Sequence, residues 1–86
     1  MEQLYKKLLG KQLLYHENKF YICFNEHAFE VNEIGARIFE LCDGDNTIKN
    51  MCEKLGEIYD IDKDLLKNDI ISFIDILIEK KLIKVI

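Results

Sequence analysis

The residues of this chain whose types could support chemistry are Cys23, Cys42, Cys52, His16, His27 and Ser72. The cysteines match no CxxC metal or redox motif, and any disulfide scheme leaves one thiol unpaired. The histidines have no ligand partner at metal-binding spacing, and the serine belongs to no recognisable constellation of nucleophile, base and oxyanion donor. We therefore expect reduced, mostly buried cysteines and no catalytic or metal site.

The composition is that of a small globular domain whose charge disfavours polyanionic partners. With 86 residues, 49% apolar and 33% charged, the chain is expected to form one domain, residues 1–86, around a single core. A net charge of −4 opposes binding to nucleic acid or an acidic membrane. No apolar run approaches the ~18 residues of a membrane span, and the N-terminus lacks a signal peptide. A cytoplasmic location is the expectation.

The first part of the chain predicts three antiparallel strands joined by polar turns. The strand segments are Leu13–Tyr15, Phe20–Phe24 and Ala28–Val31. Alternation in the third strand turns Phe29 and Val31 to one side and Glu30 to the other. In such a meander the third strand is an edge, and an edge strand offers unpaired N–H and C=O groups to any extended chain.

From Asn32 onward the apolar spacing changes to that of helices. Asn32 is a suitable N-cap for a first helix that ends at Asp43-Gly44, and Asn46 or Thr47 caps a second helix. Asp62 can cap a third and longest helix, from about Lys63 to Lys80. Residues 1–11 and 82–86 receive no assignment from the sequence.

The third helix is apolar over more of its circumference than a small core requires. The main stripe consists of Leu66, Ile70, Phe73, Ile74 and Leu77. Ile71, Ile78 and Leu82 extend the apolar arc by a further ~80°. Either the sheet and the first helix bury both strips, or the second strip forms the wall of a groove for an apolar ligand.

The block VNEIGARIFELCDG, from Val31 to Gly44, resembles the PqqD-like family. The order Asn-x-x-Gly/Ala-x-x-Ile/Leu-x-x-Leu-x-Asp-Gly is the most specific part. The resemblance continues through Thr47-Ile48, Leu55, Tyr59-Asp60, Asp69-Ile70, Phe73, Leu77 and Leu82-Ile83. It covers about Leu13 to Ile83. Members of this family are RiPP recognition elements, small domains that bind the leader segment of a ribosomally made precursor peptide.

The resemblance implies an α+β fold of the winged helix-turn-helix type, with a three-stranded antiparallel sheet followed by a three-helix bundle. It implies no catalysis and no cofactor. The leader would add as a further strand beside the third strand, in the groove between that strand and the third helix. The domain would then present the precursor to a modifying enzyme, such as a radical SAM enzyme, a protease or a cyclodehydratase.

Carried onto this sequence, the resemblance predicts a set of leader-binding residues: Ala28, Phe29, Glu30, Val31, Asn32, Lys67, Ile71, Ile74 and Ile78. The third strand would contribute mainly its backbone, since strand addition obtains affinity from main-chain hydrogen bonds. The three isoleucines would supply an apolar wall. Lys67 would either meet an acidic leader residue or simply be solvated.

Two other functions fit a domain of this shape. A winged-helix DNA-binding protein would place a basic helix in the major groove, whereas the second and third helices here mix lysines with nearly equal numbers of acids. A protein–protein adaptor remains open, because a leader-binding domain must also dock its enzyme.

Overall fold

A computed structural model describes residues 2–86 as five strands and three helices. The strands are β1 (Tyr5–Lys7), β2 (Gln12–His16), β3 (Lys19–Phe24), β4 (His27–Val31) and β5 (Ile83–Val85). The helices are α1 (Glu33–Leu41), α2 (Ile48–Tyr59) and α3 (Lys63–Glu79). The predicted fold class, an antiparallel three-stranded sheet followed by three helices, is confirmed.

The main sheet has the strand order β2-β3-β4, and both of its connections are two-residue turns. Glu17 and Asn18 form the first turn with φ of 50° and 66°, and Asn25 and Glu26 form the second with 44° and 68°. Positive φ at both central positions defines a type I′ turn, whose twist matches that of the flanking strands. Each turn is therefore shorter than the gap between the predicted strand segments.

A second sheet joins the two ends of the described chain. β1 pairs antiparallel with β5, from Tyr5 opposite Val85 to Lys7 opposite Ile83. On its other side β1 bonds to the segment that follows α1: the Lys7 N–H donates to the Cys42 carbonyl at 2.9 Å. The regions that the sequence left unassigned thus contain ordered strands.

Each helix begins at a side chain that accepts backbone N–H groups. The Asn32 Oδ1 accepts from the Gly35 N–H at 2.7 Å, and the Asp62 carboxylate accepts from the first turn of α3. For α2 the cap is Thr47, which forms a capping box with Asn50. The other proposed cap, Asn46, is instead buried and donates to the Leu41 carbonyl at 3.1 Å.

One hydrophobic core lies between the main sheet and the helices. Its largest fully buried members are Ile22, Ile38, Phe39, Met51, Leu55, Leu66, Ile70, Ile74, Leu77 and Leu82. Four of them are on α3, the central helix of the core. Within residues 2–86 there is no helix long and apolar enough to cross a membrane, and no group of three or more His, Cys, Asp or Glu side chains that could hold a metal ion.

The three cysteines differ in their surroundings. All are free; Cys42 and Cys52 are buried, whereas Cys23 is partly exposed. Burial raises the pKa of the Cys42 thiol to about 12, and its Sγ donates to the Ile38 carbonyl at 3.3 Å. Burial also raises the pKa of Cys52.

We expect alkylation of the folded protein by iodoacetamide at pH 8 to begin at Cys23. The raised pKa of Cys42 lowers its thiolate fraction about a thousandfold relative to an ordinary thiol, and the thiolate is the nucleophile. Peptide mass spectrometry over time measures the order of labelling. In urea all three should react at similar rates, and rapid labelling of Cys42 in the folded state would contradict the assignment.

Candidate functional site

The β3–β4 hairpin determines which backbone groups of β4 are free. A β-turn hydrogen bond joins the residues on either side of the turn, so Phe24 and His27 form the first bonded pair. Bonded and non-bonded pairs alternate in an antiparallel ladder. The backbone N–H and C=O groups of Phe29 and Val31 therefore also point toward β3.

The outer edge of β4 is formed by the intervening residues. The N–H and C=O groups of Ala28 and Glu30 point away from β3, and among residues 2–86 no strand pairs with β4 on that side. Both residues are exposed. Asn32, at the end of this edge, is occupied as the cap of α1, and its carbonyl accepts from the Ala36 N–H at 2.9 Å. The edge can thus accept a further strand.

The side chains of β4 alternate as predicted. Val31 belongs to the buried core, and Phe29 is half-buried against it. Glu30 faces solvent on the other side of the sheet, where its Oε1 lies 3.9 Å from the Nζ of Lys19. The side-chain directions of Phe29, Val31 and Glu30 are therefore as predicted, but the backbone groups of Phe29 and Val31 bond to β3, so on β4 only Ala28 and Glu30 offer main-chain groups to a peptide.

Phe73 of α3 and Lys80, the residue that follows α3, show which flank of the helix faces β4. The ring of Phe73 packs where a Cβ on Gly35 would lie, 3.0 Å from the Phe73 Cζ and 3.3 Å from the Val31 Cβ. The Lys80 Nζ lies 4.8 Å from the centroid of the Phe29 ring. The glycine in the first turn of α1 thus allows α3 to approach the end of β4.

Three more side chains extend this flank toward solvent. At 100° per residue, Asp69, Ile76 and Leu65 lie about 40°, 60° and 80° around α3 from Phe73, on the side away from the core stripe. Ile76 is 40% exposed and Leu65 is 65% exposed. We call the space bounded by the outer edge of β4 and by this flank of α3 the β4–α3 groove. Its α3 wall consists of Leu65, Asp69, Phe73, Ile76 and Lys80.

Three of the predicted leader-binding residues lie on the opposite flank of α3. Lys67, Ile71 and Ile78 are about 120–160° around the helix from Phe73 in the other direction. Lys67 and Ile71 line a cavity of about 500 Å³ with residues of α2 and of the N-terminal segment, including Tyr5. Ile71 and Ile78 are 37% and 36% exposed, but the structure does not bring them beside β4. The predicted juxtaposition with the third strand is wrong.

The prediction that Ile74 contacts the leader peptide is also wrong. Ile74 lies in the centre of the core stripe and is only 1% exposed, so it cannot contact a peptide without unfolding. Leu82 is buried as well, with its N–H donating to the Leu77 carbonyl at 2.9 Å. The second apolar strip predicted on the third helix therefore has two parts. Leu82 is its buried end, and Ile71 and Ile78 form an exposed surface on the side of α2 and β1.

Sequence reasoning missed the residues that do form the α3 wall. The sequence pattern places Phe73 in the core stripe and indicates no role for Ile76 or Lys80. The available signal was Gly35, because a glycine at this helical position admits a large side chain from a neighbouring element.

An open sheet edge beside an exposed apolar helix flank defines a class of domain that can bind extended peptides by strand addition. Comparison with known proteins identifies the family. Residues 11–83 match the family described as Coenzyme PQQ synthesis protein D (PqqD), and the chain belongs to that family.

Two curated relatives are similar to parts of this chain. The bifunctional coenzyme PQQ synthesis protein C/D of Methylorubrum extorquens is 27% identical over 77 residues, which cover 87% of this chain and 21% of that protein. The PqqA binding protein of Methylococcus capsulatus is 36% identical over 53 residues, which cover 62% of this chain and 57% of that protein. The chain therefore spans only part of the length of either relative.

A solved structure confirms the fold. The solution NMR structure of the PqqD truncation of Methylobacterium extorquens PqqCD, described as a functional and stand-alone RiPP recognition element, superimposes with a TM-score of 0.82. The two chains are 25% identical, and the match covers 94% of this chain and 88% of the other. The resemblance seen in the sequence is thus confirmed by both sequence and structure.

Proposed function

We propose that this chain is a RiPP recognition element that binds the leader segment of a ribosomally made precursor peptide by strand addition to β4. The observation that carries the proposal is the free outer edge of β4, beside an exposed flank of α3, in a member of the PqqD family. A relative that is named for binding PqqA and a structural neighbour described as a recognition element support it.

The geometry suggests how the peptide binds. Its backbone pairs with the outward N–H and C=O groups of Ala28 and Glu30, which supplies affinity without reading sequence. Successive side chains of an added strand point to opposite faces. Alternate residues of the leader therefore face the groove and pack against Phe29, Phe73 and Ile76, which favours apolar residues at those positions.

The proposed role is presentation of a substrate rather than catalysis. The chain holds the leader, and a separate modifying enzyme acts on the remainder of the precursor. A radical SAM enzyme is one partner of this kind, and a protease or a cyclodehydratase is another. Because the leader fills the β4–α3 groove, the modifying enzyme docks on another surface of this domain.

The test is a titration of the ¹⁵N-labelled protein with precursor peptides encoded beside its gene. We expect saturable amide shifts on residues 28–32 and on the groove flank of α3, with a Kd on the order of micromolar, or ~8 kcal/mol. A matched peptide with proline at alternate positions cannot form the strand and should cause no shifts. Shifts on α2 with duplex DNA, and none with any peptide, would show that the domain binds nucleic acid instead.

A further inference from the structure

The β4–α3 groove has two distinguishable ends. Phe73 contacts the region of Val31 at the end of β4, while Lys80, two turns later, lies over Phe29 nearer its start. α3 therefore runs antiparallel to β4 along the groove. The C-terminal end of α3 meets the His27 end of β4, and the earlier turns of α3 meet the Asn32 end.

The His27 end is basic. The Nζ of Lys80 lies over the ring of Phe29, and the Nζ of Lys11 lies 5.4 Å from the centroid of the Phe24 ring. Phe24 and Phe29 are diagonal neighbours on one face of the sheet, because Phe29 is opposite Ile22. The two ammonium groups thus lie above neighbouring aromatic rings, and Lys81 follows directly. Glu26 in the turn and Glu79, which directly precedes Lys80, are opposing charges.

The Asn32 end is acidic. Asp69 lies on the groove flank of α3, one turn before Phe73. The basic residues nearby are already paired: Lys19 with Glu30, and Arg37 with Glu40.

We propose that the groove selects leader peptides by the order of their charges, taking carboxylate side chains at the His27 end, where Lys80 and Lys11 meet them. This inference rests on the proposed strand addition and adds the chemistry of the ligand. Acidic leader residues at the Asn32 end would face Asp69, and like charges across an interface select against a wrong partner.

Together with the direction of the added strand, the charge order predicts where acidic residues lie in the leader sequence. A strand added antiparallel to β4, the more stable pairing per residue, has its C-terminal side at the His27 end. The acidic residues should therefore follow the apolar strand residues in the leader sequence. A peptide with the acids in front would place them beside Asp69.

The test uses displayed random peptides, so that it does not depend on knowing the natural precursor. Peptides are selected on the wild-type protein, on the double variant Lys11→Gln/Lys80→Gln and on the control Lys49→Gln/Lys63→Gln. The control changes the net charge equally but alters exposed lysines beside the cavity between α2 and α3. Circular dichroism and melting establish that all three proteins are folded.

We expect the wild type and the control to enrich apolar segments followed by Asp or Glu, and the Lys11/Lys80 variant to lose the acidic bias. Peptides from the wild-type selection should bind the variant roughly three- to thirtyfold more weakly, a difference that added salt reduces. Enriched peptides with no acidic bias, or with a bias that the variant retains, overturn the charge-order inference and leave strand addition intact. Failure to enrich any peptide on the wild type overturns the proposed function itself.

Discussion

The substitution Glu30→Pro is expected to weaken peptide binding at least about thirtyfold while the domain stays folded. Proline removes the outward N–H of residue 30, and its ring occupies the space that an added strand needs. The loss combines a main-chain hydrogen bond with a peptide carbonyl left unsatisfied, together about 2–4 kcal/mol. The domain tolerates the change because this N–H is not bonded to β3, and proline is accepted on an edge strand at such a position. Isothermal titration calorimetry measures the affinity.

The matched control is Glu30→Thr. Threonine keeps the N–H and the strand preference but removes the carboxylate that faces Lys19. Because that pair is exposed, its loss should change binding by no more than about twofold. Equal weakening by both variants would assign the effect to charge, and unchanged binding of a folded Glu30→Pro protein would place the peptide elsewhere.

The second large effect is on stability. Leu77→Ala should lower the free energy of unfolding by about 2–5 kcal/mol, because Leu77 is completely buried and its truncation leaves a cavity in the core. Urea titration followed by circular dichroism gives the value. Since a domain has only about 5–15 kcal/mol of stability in total, the midpoint should shift clearly. The peptide affinity of the folded fraction should not change.

Neighbouring positions on α3 provide the comparison for Leu77. Ile76→Glu introduces a charge on the groove flank at an exposed position, so it should reduce peptide binding and leave the urea midpoint nearly unchanged. Ile71→Glu makes the same change on the opposite flank and should preserve both properties. The reverse result, with Ile71→Glu weakening binding and Ile76→Glu neutral, would favour the site predicted from the sequence over the β4–α3 groove.

Local patterns predicted most of the fold because the elements depend on neighbouring residues. Alternation identified the three strands of the main sheet to within one residue at each end. Asn32 caps α1 as predicted, and Gly44 adopts a φ of 91° after the helix, which glycine adopts without steric cost. The type I′ turns were harder to predict, since Glu17 and Glu26 are unusual residues for positive φ.

The sequence predicted the β4 side of the site but not the flank of α3 that faces it. Periodicity identifies the core stripe of a helix, but it does not tell which side of the stripe faces a given strand. Ile71 and Ile76 lie on either side of that stripe and have similar exposure, so the sequence offers no local reason to choose between them. The choice depends on the contact of Phe73 with Gly35, which joins two helices far apart in the chain.

The pairing of β1 with β5 has a further consequence for the architecture of larger proteins. The Ile86 N–H donates to the Leu4 carbonyl at 2.9 Å, so the two ends of the domain lie side by side. A polypeptide attached at either end would therefore leave from the same place, and a short connection between the ends would not distort the fold. Such a domain can be carried at either terminus of an enzyme, or inserted into one of its surface loops, without disruption of its own fold.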